Sequence, residues 1–117
     1  MKKIFSTLIV LLTLGFSQSV DDLIISGKEK IENAIQAWTE QEMLEARAHF
    51  ERALSLEDKS WLVHYYIAYC DNQLVNLFMS KQDKGKVKKY VNDGLDHLED
   101  AVEEKPDFAE AYAMMSS

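Results

Sequence analysis

A nine-residue pattern occurs twice in this chain of 117 residues and restricts its fold more than any other feature. The segment Ala46-x-x-x-Phe50-x-x-Ala53-Leu54 returns as Gly94-x-x-x-Leu98-x-x-Ala101-Val102. In each copy a large apolar residue follows a small one after four positions, which places both on one face of an α-helix. Such a repeated unit predicts stacked helical hairpins, because one hairpin alone cannot bury its apolar face.

The rest of the chain also has the spacing of helices. It contains one proline and four glycines, a composition that long helices tolerate. No window alternates as a strand would. Four apolar stripes recur at helical spacing: Ile31, Ala34, Ile35 and Trp38; then Ala46, Phe50, Ala53 and Leu54; then Val63, Ile67, Cys70, Leu74 and Leu77; and finally Val87, Val91, Gly94, Leu98 and Ala101.

Capping signals suggest where these helices begin. Ser26–Glu29 and Thr39–Glu42 have capping-box spacing, in which a hydroxyl and an acid three residues later cap the free backbone N–H groups. Asp107–Glu110 has the same spacing with Asp as the cap. Gly85, within Gln82–Lys86, predicts a turn between two helices.

The repeated pattern resembles the tetratricopeptide repeat family, whose second helix carries Ala, an aromatic residue, Ala and Pro. The resemblance covers about residues 27–117, with Pro106 closing the second copy. It implies an all-α fold, an α-solenoid of antiparallel helix hairpins. Ala46, Ala68 and Gly94 would lie where helix backbones nearly touch, beside the larger side chains of the pattern. A plain helical bundle is the alternative.

The middle hairpin is expected to be longer than the first. From Lys30 to Ala46 the chain advances sixteen residues, but from His64 to Gly94 it advances thirty. The excess of fourteen residues corresponds to about four helical turns. We therefore expect two long helices, each extended by about two turns, that reverse direction near Gln82–Gly85.

Residues 1–19 differ from the rest and have the layout of a secretory signal peptide. Lys2 and Lys3 precede an apolar run, Ile4–Phe16, and Ser17 and Ser19 provide small residues at cleavage spacing. The alternative is a membrane anchor, but the run is shorter than the about 20 residues that span a bilayer. We predict cleavage after Ser17 or Ser19, no stable membrane anchor thereafter, a helical domain over residues 20–117, and a periplasmic or secreted bacterial protein.

Charge and cysteine content exclude several classes. The formal net charge is −7, so the surface should repel nucleic acid and anionic lipid. Cys70 is the only cysteine, which rules out an internal disulfide. Its place on an apolar stripe predicts a buried, inert thiol.

The sequence contains no recognisable catalytic or metal motif. The three histidines have no partner at metal-ligand spacing along the chain. His49 lies among Arg47, Glu51 and Arg52, which predicts a surface position. No phosphate-binding glycine loop and no nucleophile motif occur. We therefore expect no catalytic residues, no metal, no cofactor and no enzymatic activity.

The resemblance does imply a binding surface. In the family, the first helix of each pair lines a concave groove that holds a peptide or protein partner. Tyrosines offer large, stiff contact areas, and amides can bond to a peptide backbone. The residues carried over to this groove are Tyr65, Tyr66, Tyr69, Asn72, Gln73, Glu32, Ile35 and Thr39. The alternative is that the tyrosines pack on neighbouring helices.

Together these features favour an exported protein–protein interaction scaffold. One alternative is the repeat domain of a longer envelope enzyme or sensor, and another is a structural subunit of an envelope assembly. A third unit begins after Asp107 and stops after about two turns. Because repeat arrays usually need three or more units, we expect the chain to be the N-terminal part of a longer protein.

Overall fold

The structure, a computed structural model, describes residues 19–56 and 59–116, and all regular structure in these ranges is helical. Its elements are α1 (Val20–Ala37), α2 (Glu40–Ala53), a 3₁₀ turn (Leu54–Leu56), α3 (Ser60–Ser80), α4 (Lys84–Glu104) and α5 (Ala109–Met115). The all-α prediction is confirmed. Residues 1–18, which hold nearly all of the predicted signal peptide, lie outside the described residues.

None of the described helices combines the length and the apolar character that crossing a membrane requires.

Short polar residues begin three of the helices. Ser19 accepts a hydrogen bond from the Asp22 backbone N–H, and Asp83 accepts one from that of Lys86. Thr39 accepts one from the Glu42 N–H at 3.3 Å, so the predicted start of the second helix is confirmed. These oxygens satisfy backbone donors that the first helical turn leaves free.

Two predicted caps are wrong. Ser26 lies inside α1, because Ser19 already caps that helix and the chain is helical from Val20 onward. The Ser26 hydroxyl instead donates to the carbonyl oxygen of Leu23 at 3.2 Å. Asp107 does not cap α5, which begins after Phe108 without a side-chain cap.

The middle hairpin is long, as predicted. α3 and α4 each contain 21 residues, against 18 in α1 and 14 in α2. α4 exceeds α2 by seven residues, about the predicted two turns, but α3 exceeds α1 by only three, because α1 begins earlier than the predicted cap at Ser26. The turn covers Lys81–Asp83, and Gln82 adopts the left-handed conformation (φ 58°) there. Gly85 belongs to the first turn of α4, so its predicted role in the reversal is wrong.

Each helix packs mainly against its neighbours in sequence, and α1 also reaches α3. The short connections reverse the chain direction between helices. The result is elongated, with principal extents of 56 × 33 × 21 Å. The main core runs from α1 to the start of α4, around Phe50 and Ile67, and a smaller cluster around Leu98 joins α3, α4 and α5.

The predicted stripes on α2 and α3 are buried, apart from a half-buried Leu54. On α1 the buried stripe is shifted to Val20, Ile24, Gly27, Ile31 and Ala34, which leaves Ile35 and Trp38 exposed. On α4 the predicted core residue Val91 is exposed, and its neighbour Tyr90 is buried in the core instead. The Tyr90 ring stacks on Phe78, and its hydroxyl donates to Glu40 at 2.9 Å, so the polar end is satisfied while the ring is buried.

Two glycines allow close helix approach. A Cβ at Gly27 would overlap the buried ring of Phe50, so α1 and α2 can meet here only without a side chain at position 27. A Cβ at Gly94 would lie 3.3 Å from the Cβ of Asp71. The close contact predicted at Gly94 is therefore present, whereas Gly27 was not foreseen.

A buried ion pair lies beside Gly94. Asp71 is fully buried, and its Oδ1 is 2.9 Å from the Nε of Arg47. Burial raises the pKa of Asp71 to about 7, although Arg47 acts in the opposite direction. Arg47 also pairs with Glu51 at 3.0 Å. This pair links α2 to α3 at the point where α4 approaches both.

Candidate partner-binding surface

A hollow between α1 and α3, which we call the α1–α3 hollow, brings together five of the eight predicted groove residues. Its volume is about 290 Å³. Glu32 and Ile35 come from α1, where a spacing of three residues places them on one face. The complete lining is Lys28, Ile31, Glu32, Ile35, Tyr65, Tyr66 and Tyr69.

A second hollow continues this surface towards the last helix. This α3–α5 hollow has a volume of about 400 Å³ and is lined by Trp61, Leu62, Tyr65, Tyr66, Lys105, Asp107, Phe108 and Glu110. Tyr65 and Tyr66 belong to both hollows. The two hollows therefore form one continuous surface along α3, which we call the aromatic surface.

The tyrosines of this surface also support the core. The Tyr66 ring stacks on Phe50 with centroids 5.3 Å apart, and Tyr65 lies 5.1 Å from the Phe108 ring. All three tyrosines are half-buried, and burial raises the pKa of Tyr65. Packing and groove lining, stated above as alternatives, therefore involve the same rings. Removing a whole ring would disturb the fold as well as the surface.

Two lysines not predicted from the sequence lie beside the rings. Lys28 Nζ is 5.8 Å from the Tyr66 centroid, and Lys105 Nζ is 4.6 Å from the Trp61 centroid. At these distances a cation is attracted to the negative face of the ring. Lys28 could have been identified from sequence, because it precedes Glu32 by four residues and so shares its face of α1. Lys105 precedes α5 and has no such periodic signal.

Three predicted groove residues lie elsewhere. Thr39 caps α2 with its hydroxyl. Asn72 lies further along α3 and lines a different hollow of about 170 Å³ with Gly94, Leu98 and Met115. Gln73 is half-buried on α3 and is not among the residues that line the aromatic surface. Asn72 lies elsewhere because its side of α3 faces α4, whose Gly94 and Leu98 line the same hollow.

His49 is buried, so its predicted surface position is wrong. Its Nε2 lies 3.0 Å from the carbonyl oxygen of Leu23 and 2.9 Å from the hydroxyl of Ser26. Burial is the main cause that lowers the pKa of His49. The ring fills the α1–α2 interface, where a neutral imidazole can bond without carrying charge into the core.

The other two histidines meet across the middle hairpin. His64 on α3 and His97 on α4 place their Nδ1 atoms 2.9 Å apart. Asp100 lies nearby, and ligand atoms of the three residues fall within 4.8 Å of one another. Burial, followed by His64, lowers the pKa of His97. The sequence did not reveal this group because thirty-three residues separate the histidines.

Cys70 is buried as predicted, and burial raises the pKa of its thiol to about 12. The reactive thiolate is therefore strongly disfavoured.

No family model matches this chain, and neither a curated protein nor a solved structure shows significant similarity to it.

Proposed function

We propose that this chain is an exported, tetratricopeptide-like scaffold that binds an extended peptide segment of a partner protein along the aromatic surface. The observation that carries the proposal is the α1–α3 hollow, where side chains of two separate helices converge on a half-buried tyrosine cluster. Glu32 and Ile35 approach it from α1 and Tyr65, Tyr66 and Tyr69 from α3. Convergent aromatic and polar groups in a concave site are typical of binding surfaces.

The composition of the surface indicates the class of peptide. Half-buried aromatic rings suit an apolar or aromatic anchor residue, and their hydroxyl groups can bond to a peptide backbone. Lys28 and Lys105 lie beside rings of the two hollows, and Glu32 and Glu110 contribute carboxylates. A peptide with an apolar anchor flanked by charges of both signs would complement this arrangement.

A solenoid of hairpins would present such a surface. Support comes from helices that pack mainly on their neighbours in sequence and from the small residues at their contacts. In the proposed arrangement α1, α3 and α5 are the first helices of successive pairs. The aromatic surface is lined by α1, by α3, and by the α4–α5 connection together with Glu110 of α5. The stacking of repeat units creates concave surfaces of this kind.

Export is the second part of the proposal and rests on the signal-like residues 1–19. The cap at Ser19 favours one of the two cleavage positions. Cleavage after Ser17 keeps the Ser19 cap of α1, whereas cleavage after Ser19 removes it and exposes backbone N–H groups. N-terminal sequencing of the exported protein tests this, and an intact Met1 would contradict it.

Binding can be tested with a matched pair of variants. Ile25 and Ile35 are both exposed on α1, at 62% and 36%, but only Ile35 lines the α1–α3 hollow. Peptides are first selected from a random display library on the unmodified protein, and their affinities for Ile35→Asp and Ile25→Asp are then measured. We expect Ile35→Asp to weaken binding about tenfold or more, as losses at anchor sites do, and Ile25→Asp to leave it unchanged. Equal affinities for the two variants would refute the proposed surface.

A further inference from the structure

The His64–His97–Asp100 cluster has the chemistry of a transition-metal site. Imidazole nitrogens and a carboxylate are ligands that Zn²⁺ and its neighbours prefer. His97 and Asp100 are three residues apart on α4 and share one face, which α3 approaches with His64. Three residues on two packed helices thus bring their ligand atoms within 4.8 Å of one another.

The distances fit a shared ion. Two nitrogens bound at about 2.05 Å, with an angle of about 90–110° at the metal, lie about 2.9–3.4 Å apart. The two Nδ1 atoms, which share a hydrogen bond that the ion would replace, are 2.9 Å apart, at the short end of this range. The Asp100 carboxylate is exposed and can rotate inward from its place within 4.8 Å of the histidine atoms.

Access to solvent also favours a metal. Both histidines are half-buried and Asp100 is exposed, so an ion can enter from water without unfolding the hairpin. None of the ion pairs recorded among the described residues involves Asp100. Three protein ligands would leave a fourth position open for water or for a donor atom of another molecule.

We propose that His64, His97 and Asp100 form a binding site for a divalent transition-metal ion such as Zn²⁺, which joins α3 to α4 at the end of the hairpin opposite its turn. His64 lies in the second turn of α3, and His97 and Asp100 lie in the C-terminal half of α4. The ion would therefore hold together the end where the chain enters from α2 and leaves towards α5. The site is independent of the aromatic surface.

The test uses the full chain, freed of metal with a chelator, and titrates it with Zn²⁺ in a calorimeter. We expect one ion per chain. His64→Gln and His97→Gln should abolish binding, and Asp100→Asn should weaken it about tenfold or more. Asp96→Asn is the matched control, because Asp96 is also exposed on α4 but lies outside the cluster. Binding that is absent, or equal in Asp100→Asn and Asp96→Asn, would overturn the proposal.

Two further measurements separate metal binding from folding. At free Zn²⁺ about a hundredfold above Kd, the Tm of the unmodified chain should rise by about 10–20 °C, while the His97→Gln variant should not respond. Imidazole ¹⁵N spectra of the unmodified chain require no variant at all. Zn²⁺ should shift the Nδ1 signals of His64 and His97 and leave those of His49 in place. A shift at His49 instead, or at none of the three, would contradict the site.

Discussion

The two copies of the repeated pattern pack against their facing helices in different ways. In the first copy, Phe50 is fully buried and its ring occupies the space that Gly27 leaves on the facing helix. In the second copy the small residue is Gly94 itself, and the space beside it is taken by Asp71, which pairs with Arg47. At the first interface an aromatic ring packs against a glycine, and at the second a glycine packs beside a buried ion pair.

This difference shows what a repeat pattern does and does not determine. The spacing of small and large residues determines which helix faces meet. It does not determine the facing side chain, since Gly27 and Asp71 lie outside the repeated segments.

The largest effect is expected at Phe50. Phe50→Ala should lower the free energy of unfolding by about 3–5 kcal/mol, because it removes a fully buried ring from the main core and leaves a cavity. Leu98→Ala, the equivalent change in the smaller cluster, should cost about 2–3 kcal/mol. Urea titrations of both variants provide the comparison. A greater loss for Leu98→Ala would reverse our ranking of the two regions.

The buried charge should make stability depend on pH. The folded state raises the pKa of Asp71 from its usual 3.8 to about 7, so the folded chain keeps a proton that the unfolded chain releases. The stabilising contribution of Asp71 to the free energy of unfolding is therefore fully present below about pH 4 and is lost as pH rises towards 7.

Asp71→Asn should remove this dependence. As pH rises from 4 to 8, the unfolding free energy of the variant should increase relative to that of the unmodified protein by on the order of 2–4 kcal/mol. The lowered pKa values of His49 and His97 have the opposite effect, because they make the stability of the fold increase as pH rises. Because both proteins contain these histidines, the effects of the histidines largely cancel when the two stability profiles are subtracted. The charged neighbours of position 71, which are Arg47, Glu51 and Asp93, are also the same in both proteins. Parallel stability profiles of the two proteins would contradict the account.

Gly27→Ala should destabilise the fold by about 1–3 kcal/mol, because the added methyl group overlaps the Phe50 ring and no space is free. A smaller residue at position 50 should relieve the overlap. The double variant Gly27→Ala/Phe50→Leu should therefore lose less unfolding free energy than the two single variants lose in sum. Strict additivity in thermal or urea unfolding would show that the two residues do not compete for space.

His49→Ala should cost about 1–2 kcal/mol, because it leaves the Leu23 carbonyl and the Ser26 hydroxyl without their imidazole partner. Gln41→Ala, at an exposed position on the same helix, is the control and should have little effect. If both variants melt alike, His49 behaves as the surface residue that its charged neighbours in sequence suggested.

Much of the fold followed from periodicity. The number of helices in the described residues, the stripes of α2 and α3, the Thr39 cap and the long middle hairpin were all predictable from spacing. The start of α1 was not, because the capping-box spacing indicated Ser26, whereas Ser19 caps the helix seven residues earlier. The buried His49 was missed for a similar reason. Glu51 and Arg52 beside it are exposed, whereas the His49 ring bonds to Leu23 and Ser26 on α1.

The candidate surface was predictable where its residues share a helix face and unpredictable where it depends on contacts between helices. Tyr65, Tyr66 and Tyr69 followed from the phase of α3. Asn72 was placed with them by the same phase, but the structure directs that part of α3 towards α4. The meeting of His64 and His97 depends on the register between α3 and α4, which no local pattern encodes.

The most direct test of the central claim, peptide binding at the α1–α3 hollow, is an NMR titration of the ¹⁵N-labelled protein with a peptide that it selects from the display library. Our account predicts that the largest backbone shifts fall at Glu32, Ile35 and Tyr69, with smaller ones near Phe108. The region around Asn72 and Gly94 lines the other hollow and should change little. Shifts centred on Asn72 and Gly94, with Ile35 unaffected, would contradict the claim.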